Sequence, residues 1–224
     1  MKAAVDRENY DKGNLTLHGY QYSVYTRVVA VALAEKALLF EYIEVDPFSA
    51  PSACYHELHP FGRVPVLDHA GFELYETTAI THYLDERFPA PSLQPSDIEH
   101  RSRMRQIISI IDNYAYWPLV RLVYARSVFG PAQGDAVDEA AISAGLERAW
   151  LVIAVLDAMA ADHLRAERPT LADIHLAPMI AAFAASREGA ALLDRFPHLS
   201  RWWQRIAERH SMVDTRSMLL TAPR

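Results

Sequence analysis

The stretch "VPVLDHAGFELYETTAITHYLDERF", residues 64–88, decides the fold. Two short apolar runs, "VPVLD" (64–68) and "FELYE" (72–76), flank the three-residue "HAG". Apolar runs joined by a short loop containing Gly predict a β-hairpin. The next residues, 77–88, change period: Ile80, Tyr83 and Leu84 stand at i, i+3 and i+4, which predicts a helix. A hairpin feeding directly into a helix asks for a sheet with helices laid over it.

The residues before the hairpin supply the rest of that sheet. "LTLHG" (15–19) predicts a strand ending at Gly19, and "VYTRVVAVALAEKAL" (24–38) a helix with Val24, Val28, Val31 and Glu35 along one row. "LFEYIEV" (39–45) reads as a strand stopped by Asp46-Pro47, and "SACYHEL" (52–58) as a short helix. The order is β-α-β-α-β-β-α, with the first two strands parallel and the last pair antiparallel.

After residue 89 the composition changes. "PAPSLQPSD" (89–97) carries three prolines and predicts a linker over 90–97. The rest of the chain reads as helical: 98–129 as one long helix kinked near Pro118, then 137–164, 170–186 and 198–210. Thr170 stands three residues before Asp173, a short-armed capping box that predicts a helix start. The fold class is therefore α+β: a first domain over 15–89 and an all-helical domain over 98–224. Residues 1–14 are polar and of mixed charge, and read as a flexible extension.

Composition excludes several functions. No apolar run approaches the roughly 18 residues that span a bilayer, so no membrane partner is expected. Net charge is −6, and the densest basic group, "HRSRMR" (100–105), lies on a predicted helix, which argues against nucleic acid. Ten histidines are present, but none stand at metal-ligand spacing beside a carboxylate, so no metal is expected. Cys54 is the one cysteine, consistent with a reducing cytoplasm, and reads as a buried small hydrophobe.

Four segments in this order, "YSVYTRVVAVALAEK", "HPFGRVPVLD", "FELYETTAITHYLDERFP" and "RPTLADIHLAP", give the chain a resemblance. Over about residues 15–210 it resembles a cytosolic glutathione transferase of the serine type, a phi- or theta-like bacterial member. The resemblance implies a thioredoxin-like first domain that binds glutathione, and an interdomain cleft for an apolar electrophile. It also implies a homodimer and a detoxification role in the cytoplasm.

The same resemblance assigns residues. Pro65 is expected to follow a cis bond, and Val64 to offer its backbone groups to the cysteinyl unit like an added strand. Thr77 and the first N–H groups of its helix receive the γ-glutamyl carboxylate, since a helix start offers unpaired donors and positive potential. Glu76 matches the α-ammonium. Arg63 stands where relatives often carry Gln or Lys, within reach of a glutathione carboxylate. The Lys or His that phi-like classes use for the glycyl carboxylate is missing from "FSAPSA" (48–53), leaving His56 or His59 as substitutes.

The pattern S-x-x-[TV]-R puts Ser23 at the activating position. A free thiol has a pKa of about 8.5, and a serine hydroxyl cannot act as its base. It can donate a hydrogen bond to the thiolate while capping the helix that begins at Val24, where many relatives carry Pro. Tyr20, Tyr22 and Tyr25 are the alternative donors, Tyr20 first among them. Tyr20 and Tyr22 are expected to wall the electrophile site, with Tyr116 and Trp117 opposite. Tyr25 and Thr26 are expected only to pack, and His175 reads as a core histidine. Two other functions stay open: a glutathione-dependent isomerase or dehalogenase, and a non-catalytic binding or regulatory protein.

Overall fold

The computed structural model describes residues 14–49 and 53–216. These form two compact units, one running through Pro91 and resuming at Asp214, the other Ser92–Val213. Apart from Asn14, the expected N-terminal extension lies outside the described residues.

The first unit follows the predicted order: β1 (Leu15–Gly19), α1 (Val24–Glu35), β2 (Glu41–Glu44), α2 (Ala53–Leu58), β3 (Val66–His69), β4 (Phe72–Tyr75) and α3 (Thr77–Arg87). The sheet order is β2-β1-β3-β4. β1 is parallel to β2 and antiparallel to β3, and β3 is antiparallel to β4. The hairpin is tighter than the sequence suggests. β3 starts at Val66, and the turn is two residues, Ala70 and Gly71, at φ 54° and 87°. Paired positive φ values match the twist of the flanking strands, and Asp68 Oδ1 accepts from the Gly71 N–H at 2.7 Å.

The alternation of β1 sets the layers. Leu15, Leu17 and Gly19 share one buried face. α1 lies against it, since a Cβ on Gly19 would come within 2.2 Å of Thr26 Cγ2. α3 packs beside α1, adding Ile80 and Leu84 to the core. On the other face His18 meets the ring of Tyr55 on α2 at 6.4 Å. Tyr55 is buried and Cys54 is exposed, which corrects the expected burial of the cysteine. In so short a helix the buried side belongs to Tyr55, and to His59 four residues on, which turns position 54 outward. A buried ion pair, Lys36 Nζ to Asp85 Oδ1 at 2.7 Å, joins α1 to α3, and Lys36 also donates to the Pro91 carbonyl.

The second unit is helical. α4 (Ile98–Ile110) passes into a π-helical segment, Ile111–Phe129, and then a short turn, α5 (Gly130–Ala132). Where the sequence predicts one helix kinked near Pro118, the pitch instead changes at Ile111, and Pro118 lies inside the π-helical segment. α6 (Glu139–His163), α7 (Leu171–Ala184), α9 (Pro197–Ile206) and α10 (His210–Asp214) come next, with α8 (Arg187–Leu193) between α7 and α9. α8 has no counterpart in the sequence reading. It is capped by Ser186, whose Oγ accepts from the Gly189 N–H at 2.9 Å. α6 packs closely on the π-helical segment at Gly145, where a Cβ would lie 2.8 Å from Leu122 Cβ.

α7 is the centre of this unit, buried almost along its length, His175 included. Its start is the predicted capping box of Thr170 and Asp173. The Asp173 carboxylate is fully buried. Oδ2 accepts from the Thr170 N–H (2.7 Å) and hydroxyl (2.8 Å), and Oδ1 from the Arg165 N–H (2.6 Å) and Trp202 Nε1 (2.8 Å). Burial pushes its pKa up, and those donors pull against the shift. One side chain thereby fixes the start of α7, the segment before it and the indole of α9. Thr170→Ala is expected to cost about 1 kcal/mol. Asp173→Ala strands four donors, the buried Trp202 indole among them, so it should cost more than about 3 kcal/mol. Urea unfolding tests this, and equal losses for the two variants would contradict it.

Candidate active site

Register brings the predicted residues of the first unit to one end of the sheet. Gly19 pairs with Glu44, and His18 and Tyr75 both pair with Val66. The segment after β1 (Tyr20–Ser23), the loop after β2 (Val45–Phe48), the residues before β3 (Arg63–Pro65) and those after β4 (Glu76–Thr77) therefore leave the sheet at the same end.

The turn after β1 is held from several sides. The Ser23 N–H donates to the Tyr20 carbonyl at 2.8 Å, and the Val45 N–H to the Gly19 carbonyl at 2.6 Å. The Tyr20 N–H donates to Thr26 Oγ1 at 3.3 Å. Thr26 is fully buried and does more than pack, because its hydroxyl carries the backbone of this turn. Ser23 has extended backbone angles and is the N-cap of α1, its Oγ accepting from the Thr26 N–H at 3.2 Å. A hydroxyl that accepts through a lone pair keeps its own proton to donate. Ser23 is half-buried at the positive end of a twelve-residue helix.

The tyrosines have a different setting. Tyr20 meets Tyr22 edge-on at 5.3 Å and Phe48 at 5.9 Å. Burial pushes the Tyr20 phenol above its ordinary range, and Asp46, Tyr22 and Glu44 push it further the same way. Glu44 is held in place by the Gln21 N–H and the Tyr42 hydroxyl. A phenol beside carboxylates is a poor place to gather another negative charge. Phe48, exposed beside Tyr20, is absent from the sequence reading.

Ahead of β3 the Val64–Pro65 bond is cis, as the resemblance implies. Pro65 is buried, Val64 half-buried and the Arg63 side chain exposed. Tyr55 fixes this loop by donating to the Arg63 carbonyl at 2.7 Å, and burial pushes its phenol up to about 12. Of the histidines offered for the glycyl carboxylate, His59 is buried, with its ring 4.7 Å from Tyr75. Its Nδ1 accepts from the Phe61 N–H. Burial holds its pKa below the ordinary range, which disfavours a positive charge there. His56 packs its ring over Gly62, which sits at φ 61°.

After β4, Glu76 is the N-cap of α3 at φ 70°, ψ 114°, and makes no capping bond with its side chain. A non-glycine residue held at such an angle stores about 1–3 kcal/mol, and strain of that kind gathers at binding sites. The Glu76 side chain is exposed and Thr77 is buried beneath it. The Glu76 side chain therefore fills none of the first donors of this eleven-residue helix.

In the second unit, Tyr116 is half-buried and Trp117 is 54% exposed, both on the π-helical segment just before Pro118. A cavity of about 330 Å³ in this unit, lined by residues that include Leu164, His198, Arg201 and Trp202, contains none of the predicted site residues. Among the described residues no cluster of His, Cys, Asp and Glu could hold a metal ion, and no helix is long and apolar enough to cross a membrane.

A thioredoxin-like unit with a serine capping its first helix and a cis-Pro loop is the arrangement that the resemblance to glutathione transferases implies. Comparison with known proteins agrees. Residues 17–92 match the glutathione S-transferase N-terminal domain and residues 119–210 the glutathione S-transferase C-terminal domain. The chain belongs to the glutathione S-transferase family. It is 28% identical over 201 residues to glutathione S-transferase F10 of Arabidopsis thaliana, covering 87% of this chain and 93% of that one. Its fold superposes on glutathione transferase F7 from Populus trichocarpa with a TM-score of 0.82 at 22% identity, covering 92% and 100%. A maize glutathione S-transferase I, solved with an atrazine glutathione conjugate, matches at 0.79 and 23%, covering 92% and 98%.

The close approach of Gly19 to Thr26 leaves no room for a Cβ. Gly19→Ala should therefore destabilise the first unit by about 1–3 kcal/mol and lower glutathione affinity. Adding Thr26→Ser removes the clashing methyl and keeps the hydroxyl, so it should recover most of the loss. Thermal unfolding with glutathione titration measures both, and a double variant no better than Gly19→Ala would contradict the account.

Proposed function

We propose that the protein conjugates glutathione to hydrophobic electrophiles, with Ser23 as the group that stabilises the thiolate. The observation that carries this reading is the Ser23 hydroxyl at the head of α1, which accepts from the Thr26 N–H and so keeps its own proton to donate. Lowering a thiol pKa by about two units takes about 2.7 kcal/mol. One charge-assisted hydrogen bond, about 1.5–3 kcal/mol, with a helix N-terminus beside it, is sufficient.

The tripeptide is read along the sheet end. The start of α3, with the Thr77 hydroxyl, receives the γ-glutamyl carboxylate. Glu76, exposed and making no capping bond to its own helix, pairs with the α-ammonium. Val64, just ahead of Pro65, pairs through its backbone with the cysteinyl unit. Arg63, exposed and cationic, is the counter-ion for the glycyl carboxylate in preference to His59, whose burial disfavours its charged form. The thiolate then attacks the electrophilic carbon, a C–S bond forms, and the leaving group departs with the bonding pair.

Tyr20 and Tyr22 supply aromatic surface for the electrophile, and Tyr116 and Trp117 are assigned the same role. The protein acts as a homodimer in the cytoplasm on this reading, as is typical of the family. Retention on immobilised glutathione, followed by turnover of a chlorinated nitroaromatic, tests the proposal. Ser23→Ala should stay bound but lose about 10- to 100-fold in turnover, most at neutral pH and least at alkaline pH, where the thiol ionises unaided. Tyr20→Phe should keep most of its activity. Turnover that survives Ser23→Ala moves the donor to a tyrosine. A parent protein that is not retained on glutathione supports a non-catalytic role. Activity confined to one enone or haloaromatic supports an isomerase or dehalogenase.

A further inference from the structure

Arg27 is an unusual residue to find inside the first unit. It lies on α1, four residues after Ser23, and its N–H donates to the Ser23 carbonyl at 3.0 Å as part of the first helical turn. Its guanidinium is buried, with the residue only 3% exposed. Arginine does not shed its charge in a protein, so burial must be met by hydrogen bonds rather than by neutralisation. One of these runs from Arg27 Nε to Thr215 Oγ1 at 3.2 Å, buried and spanning 188 residues of sequence. Thr215 is itself buried, and it belongs to the segment from Asp214 that rejoins the first unit.

The two ends of Arg27 therefore act on one turn of helix. The backbone end closes the hydrogen bond that defines where α1 begins, at the residue carrying the hydroxyl. The side-chain end is anchored to Thr215. Loss of that acceptor removes one of the bonds that hold the buried guanidinium, so the first turn of α1, which carries Arg27, is held less firmly. Positioned donors lose effect steeply when misplaced by an ångström, so a small shift there reaches Ser23 first.

We propose that Thr215 is a positioning residue for thiol activation: by accepting from Arg27, the returning segment holds the first turn of α1, and with it the Ser23 hydroxyl, in place. This rests on the reading of Ser23 as the thiolate donor, and its test separates the two.

The readout is the pH dependence of kcat/KM for a chlorinated nitroaromatic at saturating glutathione, with Tm recorded alongside. Thr215→Val keeps the side-chain shape and removes the acceptor; Thr215→Ala serves if the valine variant does not fold. The variant should raise the apparent pKa of the profile by about half a unit, a loss of about threefold below that pKa that closes at high pH. Thr215→Ser should restore the parent profile. In a Ser23→Ala background, Thr215→Val should shift the profile no further. An unmoved profile with a lowered Tm overturns the proposal, as does an equal loss at every pH. A full shift that persists without Ser23 also overturns it, since Thr215 would then act elsewhere. If Ser23→Ala alone leaves the profile unmoved, the Ser23 reading fails first, and the proposal with it.

Discussion

The contact between Gly19 and Thr26 governs the site. The strand must end, and the helix begin, with no atom between them where any other residue would put a Cβ. That close approach lets the Thr26 hydroxyl reach back to the Tyr20 N–H and the Thr26 N–H reach the Ser23 hydroxyl. A single buried threonine therefore ties both ends of the turn, one through its side chain and one through its backbone. The Ser23 oxygen is placed by its own capping bond and by the packing of Thr26 against the sheet. On the reading of Ser23 as the thiolate donor, preorganisation of this kind means that the hydroxyl need not be reordered when charge develops on sulfur.

The same turn sorts its hydroxyls by electrostatics. Tyr20 and Ser23 are three residues apart, yet one faces carboxylates and the other a helix start. Charge on a nearby sulfur is opposed in the first setting and favoured in the second. Val24, which stands where many relatives carry Pro, keeps the helix start intact: it is buried as the first residue of α1, and the capping bond to Thr26 is made.

Much of this was legible in the sequence because it is local. The hairpin announced itself through two apolar runs around a glycine, the capping box through Thr170 and Asp173, and the helix cap through Ser23. Misreadings came where short-range signals compete. Cys54 was assigned to the core on residue type, but in a six-residue helix the buried side went to Tyr55. The turn at Ala70 and Gly71 came out one residue shorter than read, because Val64 and Pro65 stay outside the strand and its pairing runs on to His69. The Ser186 cap was present as a signal for α8, although a seven-residue helix carries little periodicity to accompany it. Phe48 against Tyr20, Trp202 against Asp173 and Arg27 against Thr215 had no local signature at all. Such pairs are set by the fold, so the sequence could show the partners and not the pairing.

The most direct test of the account is the ionisation of glutathione in the binary complex, tracked by the ultraviolet absorbance of the thiolate across pH. The bound thiol should titrate well below the free value of about 8.5 in the parent protein. In Ser23→Ala, with glutathione still bound, it should titrate close to that value. A bound thiol that titrates at the same depressed pH in both proteins would contradict the account.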